Sequence, residues 1–245
     1  MFKKKPIKIK AYTTDRALLN YFKPEKANRN YPKWFKKLLA NDLDNMPTMT
    51  GCAGFLDMYA KAIAVPLWTD LNVEVGKIGE DYSEAATYNP LSKLSKHPHE
   101  QRGEWLPEKE YQHIKANSPW LFSCDEDVDF FLVGNPFIND IPHRMQIVPG
   151  VVSLKYQNEF NLNIIFKREP ERYQAKLKYG EPYGFLIPLT ERNFEIEYSH
   201  ITEQEFQDIL QGEKFSYSKF NYLRERKMRK KAYEKKCPFG FGGKK

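Results

Sequence analysis

PWLFSCDEDVDFFLVGNPFINDIPHRMQIVPGVVSLKYQNEFNLNIIFKREPERYQAKLKYGEPYGFLIPLTERNFEIEY, residues 119–198, alternates short apolar, aromatic and β-branched runs with clusters of turn residues. Runs of this kind, bounded by Gly, Pro, Asn and Asp, predict strands. The expected strands are 119–124, 128–133, 144–155, 160–167, 173–178, 183–188 and 193–199. The breakers between them are Asp125–Asp127, Gly134–Pro142, Asn158, Glu169–Glu171, Gly180–Pro182 and Thr190–Arg192. Short strands spaced like this predict a sandwich or barrel. The expected fold is mainly β: an antiparallel sandwich of the jelly-roll, cupin-like kind, with N-terminal helices and a basic C-terminal helix.

Upstream, PIKIKAYT (6–13) alternates as a half-buried strand does. Asp15 is placed to cap a short helix through Leu19. Lys33–Leu39 (KWFKKLL) has amphipathic helical spacing after Pro32. Gly54–Ala64 predicts a second helix with Phe55, Met58, Tyr59, Ala62 and Ile63 on one face, stopped by Pro66. PLWTDLNVEV (66–75) alternates cleanly enough to predict one strand. Residues 80–108 lack periodicity and read as a long loop, and Glu110–Ala116 fits either a strand or a helical turn. Thr202 and Glu205 form a capping box that opens a helix through Leu210, ended by Gly212. A further helix is expected from Ser216 to Tyr233. The division expected is a single sandwich domain over 1–200, with helices and a basic tail over 201–245.

The 245 residues carry a net charge of +7, and 15% of them are aromatic. The charge is concentrated at the ends. From Arg224 to Lys245, ten Lys/Arg face two Glu, so this tail carries +8 and the rest of the chain −1. A basic end of this kind suits nucleic acid, an acidic protein face or anionic lipid, or simply solubilises. The candidate binding residues are Arg224, Arg226, Lys227, Arg229, Lys230, Lys231, Lys235 and Lys236. No apolar run approaches membrane-spanning length. The N-terminal lysines lack an apolar stretch behind them, so no secretory signal is expected. Three cysteines without a CxxC pair argue for reduced thiols and against a zinc ribbon.

For chemistry, the sharpest pattern is His97-Pro-His99 followed by Glu104. Two histidines one residue apart with a carboxylate five residues on could supply a facial set for iron, manganese or zinc. The HxHx4E spacing matches the first cupin motif. Pro98 lies between the ligands, however, and Tyr111 stands where that motif has glycine. His143 or His200 would have to complete the set. Cys52 precedes a predicted helix, a position that can activate a thiol, but a small buried apolar residue is the expectation. Asp125-Glu126-Asp127 lacks calcium-loop spacing and reads as a solvated turn. No dinucleotide fingerprint or phosphate loop is present.

YPKWFKKL (31–38), Cys52-Ala-Gly-Phe-Leu-Asp57, VPLWTDLNVEV (65–75), SPWLF (118–122), VPGVVS (148–153), LNIIFKR (162–168) and KYGEPYGFLIPLTER (178–192) follow one another in order. With its PxWFK, VPLWTD and GEPYxxLIPL-like motifs, the chain resembles a family of uncharacterised tailed-phage, especially marine-phage, and bacterial proteins over residues 6–200. The resemblance implies a phage-related origin and carries no catalytic residues across. The expected function is non-enzymatic binding or assembly with another phage or host protein, in the virion or host cytoplasm. The alternatives are a cupin-like metal enzyme using His97, His99 and Glu104, or a nucleic-acid-binding accessory protein acting through the tail.

Overall fold

The computed structural model of the chain describes residues 5–40, 48–76, 94–96, 110–135, 137 and 144–216, with side chains except at 40, 94–96 and 211–216. The described residues are mostly β. In chain order the strands are β1 (Ile7–Thr13), β2 (Glu25–Lys26), β3 (Ile63–Pro66), β4 (Leu71–Val75), β5 (Leu94–Lys96), β6 (Tyr111–Ser123) and β7 (Asp129–Gly134). They continue with β8 (Met145–Ile147), β9 (Gly150–Ser153), β10 (Glu159–Lys167), β11 (Tyr173–Leu177), β12 (Pro182–Pro188) and β13 (Phe194–His200). The helices are α1 (Arg16–Tyr21), α2 (Lys33–Ala40), α3 (Ala53–Lys61) and α4 (Glu203–Ser216).

Two sheets carry most of the strands. One has the order β13-β1-β6-β10-β8, with β5 beside β6. The other has the order β2-β3-β12-β7-β9, and β4 and β11 form a separate pair. A single apolar cluster draws on all three, including Ile7 and Phe122 from the first sheet, Val65 and Phe130 from the second, and Val73 and Leu177 from the pair. Alternation explains the supply. Along β1, Ile7, Ile9, Ala11 and Thr13 are buried while Lys8, Lys10 and Tyr12 are not, as successive side chains of a strand must point to opposite faces. The second sheet is covered on its other face as well. Ala64 of β3 and Phe185 of β12 pack there with Phe35 of α2 and Phe55 and Tyr59 of α3.

Strand pairing is antiparallel throughout the described residues with one exception. β1 and β13 run parallel, from Ile7 opposite Phe194 to Thr13 opposite His200. Parallel neighbours need a long connection, and these two strands lie at opposite ends of the described chain. Arg192 fastens the same corner. Its guanidinium donates to both Glu126 carboxylate oxygens, to the Lys5 carbonyl (2.8 Å) and to the Pro6 carbonyl (3.4 Å). Glu126 is therefore an ion-pair partner, and the acidic turn is more than a solvated one. Lys10 adds a looser pair with Asp125 at 3.5 Å.

Several sequence expectations need correction. The helix expected to reach Ala64 ends at Lys61, and Ile63–Pro66 is a fully buried strand. Its β-branched residues pair with β12 and β2, and that burial outweighs the helical spacing. The single strand expected over 66–75 is confined to Leu71–Val75, because the chain leaves one sheet at Pro66 and enters the β4–β11 pair at Leu71. The expected strand 144–155 likewise divides at Val148-Pro149, sending β8 and β9 to different sheets. Proline has no N–H for a ladder, so it marks such breaks. Conversely, Glu110–Ala116 and 119–124 join into β6. Pro119 is accommodated there because the register with β10 shifts between Asn161 and Glu159. The loop expected over 80–108 contains β5, paired to β6. Gly212 does not end α4, which continues to Ser216. The helix expected over 216–233 lies beyond the described residues except for Ser216.

The local caps follow the sequence. Asp15 accepts from the Ala17 amide at 2.7 Å and the Leu18 amide at 3.2 Å. Thr202 and Glu205 close their capping box from both sides, at 2.7 Å and 3.2 Å. The backbone and side-chain hydrogen bonds from Thr202 hold the Glu205 carboxyl below its ordinary pKa.

Two half-buried phenols make the fold sensitive to alkali. Burial pushes Tyr173 and Tyr198 up to about 12. Tyr173 donates to the Lys167 carbonyl at 2.7 Å and Tyr198 to the Pro24 carbonyl. Both folded values lie above the unfolded tyrosine value of about 10. The associated stability is present in full below pH about 10 and is lost as pH rises through about 12. We expect Tm to fall across that window in step with tyrosinate absorbance. A flat Tm there would contradict the burial of both hydroxyls.

Candidate binding cleft

α2 begins immediately after Pro32, whose carbonyl accepts from the Lys36 amide at 3.1 Å. Proline suits a helix start because the first N–H groups have no helical partner. The helix is short and its sequence divides by face. Phe35 is fully buried, Trp34 and Leu38 are half-buried, and Lys33, Lys36 and Lys37 are exposed. Positions i, i+3 and i+4 are neighbours on a helix surface, so the three ammonium groups form one cationic face within a single turn. No ion pair joins any of them to a carboxylate among the described residues.

Aromatic stacking holds this face in place. Phe35 stacks on Tyr31 at 4.7 Å between ring centroids and on Phe55 at 4.8 Å. Tyr31 also stacks on Tyr59 at 4.9 Å, and Trp34 meets Phe137 edge-on at 5.1 Å. Tyr59 reaches the sheet through Phe185 at 5.4 Å. Burial, with the nearby Tyr31 hydroxyl, raises the Tyr59 hydroxyl far above the usual phenol range. It is therefore a neutral packing group at any ordinary pH.

The opposite wall comes from two distant turns. Asn135, just after β7, donates from Nδ2 to the Pro182 carbonyl at 2.7 Å and accepts from the Phe137 amide at 3.0 Å. Its own amide donates to the Tyr183 carbonyl at 3.0 Å. One asparagine thereby ties the turn after β7 to the entry of β12. That entry needs Gly180. Its φ is +78°, and a Cβ there would overlap the Phe22 ring, which packs on Tyr179 at 3.9 Å. Only glycine adopts such a backbone at no steric cost. The Gly180 amide donates to the Leu67 carbonyl at 2.8 Å, and the Leu67 amide to the Glu181 carbonyl at 2.9 Å.

Between these walls lies a cleft of about 530 Å³, within the size range of small-molecule sites. Among the described residues, Tyr31, Trp34 and Phe137 supply its rings, Lys33, Lys36 and Lys37 its positive charge, and Glu181 its one carboxylate. The arrangement can hold an anion and present a ring face beside it.

The residues singled out from sequence are placed elsewhere. His97, His99 and Glu104 lie outside the described residues, as does His143. So do Arg224, Arg226, Lys227, Arg229, Lys230, Lys231, Lys235 and Lys236. His200 is exposed, with Nε2 3.1 Å from the Thr14 carbonyl oxygen. Cys52 is exposed rather than buried, at the start of α3, and its side chain makes no capping bond. Among the described residues, no group of three or more His, Cys, Asp or Glu could hold a metal ion. No described helix is long and apolar enough to cross a membrane.

The cleft residues were visible in the sequence only as a helix and two turns. PKWFKKL does combine rings and lysines without an acid, and that combination is the signal that could have marked them. Segments 30–37 and 180–182 and residues 135 and 137 meet only through the fold. No family model matches the chain, and no curated protein matches it significantly.

Proposed function

We propose that the chain is a phage-related binding or assembly protein that holds an anionic partner in the cleft beside α2. The observation that carries this reading is the cationic face of Lys33, Lys36 and Lys37 set against the rings of Tyr31, Trp34 and Phe137. Rings and cations are the groups of a recognition surface. The proposal extends to architecture: a jelly-roll-like sandwich over 1–200, with 201–245 as a helical and basic appendage. The apolar cluster shared by both large sheets supports the sandwich. The phage origin, and with it action in the virion or host cytoplasm, rests on the sequence resemblance. A cupin-like enzyme using His97, His99 and Glu104 is the alternative, and no observation on the described residues favours it.

The test is site-resolved. Pyrophosphate titrated into the isotope-labelled full chain should shift amide signals at 30, 31, 33–37, 135, 137 and 181. Replacing Lys33, Lys36 and Lys37 together by Gln should remove those shifts. Shifts confined to other residues, or shifts unaffected by the triple replacement, would overturn the cleft as the anion site.

A further inference from the structure

We propose that the occupant of the cleft is a single strand of nucleic acid, with a base against the Tyr31, Trp34 and Phe137 rings and consecutive phosphates along Lys33, Lys36 and Lys37. This rests on the anion-binding reading above and names the ligand class.

Three observations point to it. The lysines are spread over a full helical turn, about 5.4 Å of rise, so they offer positive charge along a line rather than at one point. That suits a polymer of phosphates better than a lone anion. The rings line the same cleft: Trp34 follows Lys33 on α2, and Tyr31 and Phe137 come from outside the helix. A polyanion whose only recognisable feature was charge would have no use for them, whereas an unpaired base stacks on any aromatic face. The strand must be single because the base faces of a duplex are covered by their neighbours, and side chains reach splayed bases only in unpaired segments. The wall opposite the lysines is built by hydrogen bonds of the Asn135 side chain to backbone groups and by Gly180, and among the described lining residues Glu181 is its one charged group. Among the described lining residues, one wall thus carries three cations and the other a single carboxylate.

An acidic peptide shares the charge but not the bases, and an oligonucleotide stripped of bases separates charge from stacking. The experiment measures fluorescence anisotropy of the full chain with labelled dT12, with a 12-mer of abasic spacer, and with a duplex of equal length, over a range of salt. Polyglutamate serves as the competitor. The expected result is about tenfold tighter binding of dT12 than of the abasic strand, in line with the stacking of one or two bases. Lys33→Gln/Lys36→Gln/Lys37→Gln should abolish that difference and lower the slope of log K against log salt by about 2, as loss of three phosphate contacts predicts for a single strand. All three side chains are exposed, so the variant retains the fold. Trp34→Phe, which keeps a ring in the cleft, should retain most of the preference for bases.

Equal binding of dT12 and the abasic strand overturns the proposal. So does tighter binding of the duplex, better competition by polyglutamate than by unlabelled dT12, or unchanged affinity in the triple variant, which would place binding on the tail. If pyrophosphate still shifts the cleft amides while dT12 shows no preference, the anion site stands and the nucleic-acid assignment alone fails.

Discussion

Phe35→Ala should lower the free energy of unfolding by about 3–5 kcal/mol, the usual cost of truncating a buried aromatic ring. Phe35 is fully buried. It stacks on Tyr31 and Phe55, and Trp34 packs against it edge-on at 5.6 Å. The truncation would leave a ring-sized void at the point where α2 meets α3. The cost should register in the global transition rather than as local fraying, because the same cluster includes Ala64 of β3 and Phe185 of β12. Phe35→Leu, which fills most of the volume, should cost less than half as much. Urea unfolding of the two variants decides the matter. A cost below about 1 kcal/mol for Phe35→Ala would mean that the helical layer is not cooperative with the sheet beneath it. The cleft depends on the same ring, so Phe35→Ala should also lose the pyrophosphate-induced shifts without any lysine being touched.

Trp120→Ala should be as damaging in the main core, again by about 3–5 kcal/mol, and Trp120→Phe should cost under about 1.5 kcal/mol. Trp120 lies in β6, fully buried, edge-on to Tyr198 with 6.4 Å between ring centroids. Beside it, Leu121 pairs with Tyr12 of β1 on one side and with Glu159 of β10 on the other. A void here therefore loosens the place where the two neighbours of β6 come together. The contrast between the replacements comes from the indole nitrogen. Trp120 Nε1 is buried without a hydrogen-bond partner among the described residues. Phenylalanine removes that desolvated donor while keeping most of the ring, so part of its packing loss is offset. If Trp120→Phe proved as costly as Trp120→Ala, the indole N–H would have to be making a bond that the structure does not show.

Much of the local structure could be read from the sequence because its causes are local. Asp15 caps α1 since its side chain reaches amides two and three residues on. Thr202 and Glu205 close their box for the same reason. β1 and β4 alternate in sequence as they alternate in burial. Errors arose where a local pattern had two possible outcomes. Phe55, Met58, Tyr59, Ala62 and Ile63 do share a helical face, yet Ile63–Pro66 is drawn into a central strand by neighbours more than a hundred residues away in β12. The single strand expected over 144–155 holds a crossing between sheets at Val148-Pro149.

By itself, the sequence determined that this is a β-rich chain with an amphipathic, lysine-bearing helix near its start, a glycine turn before its penultimate described strand and a strongly basic end. Periodicity, caps and turn residues act within a few positions, so they are complete in the sequence. Tertiary structure alone decided which strands share a sheet and that β1 joins β13 in parallel. It alone also set three lysines and three rings on one cleft opposite Asn135 and Gly180. Those outcomes depend on which apolar faces bury one another across the chain, and residues 31, 135 and 180 become neighbours only once the second sheet and its covering helices have packed.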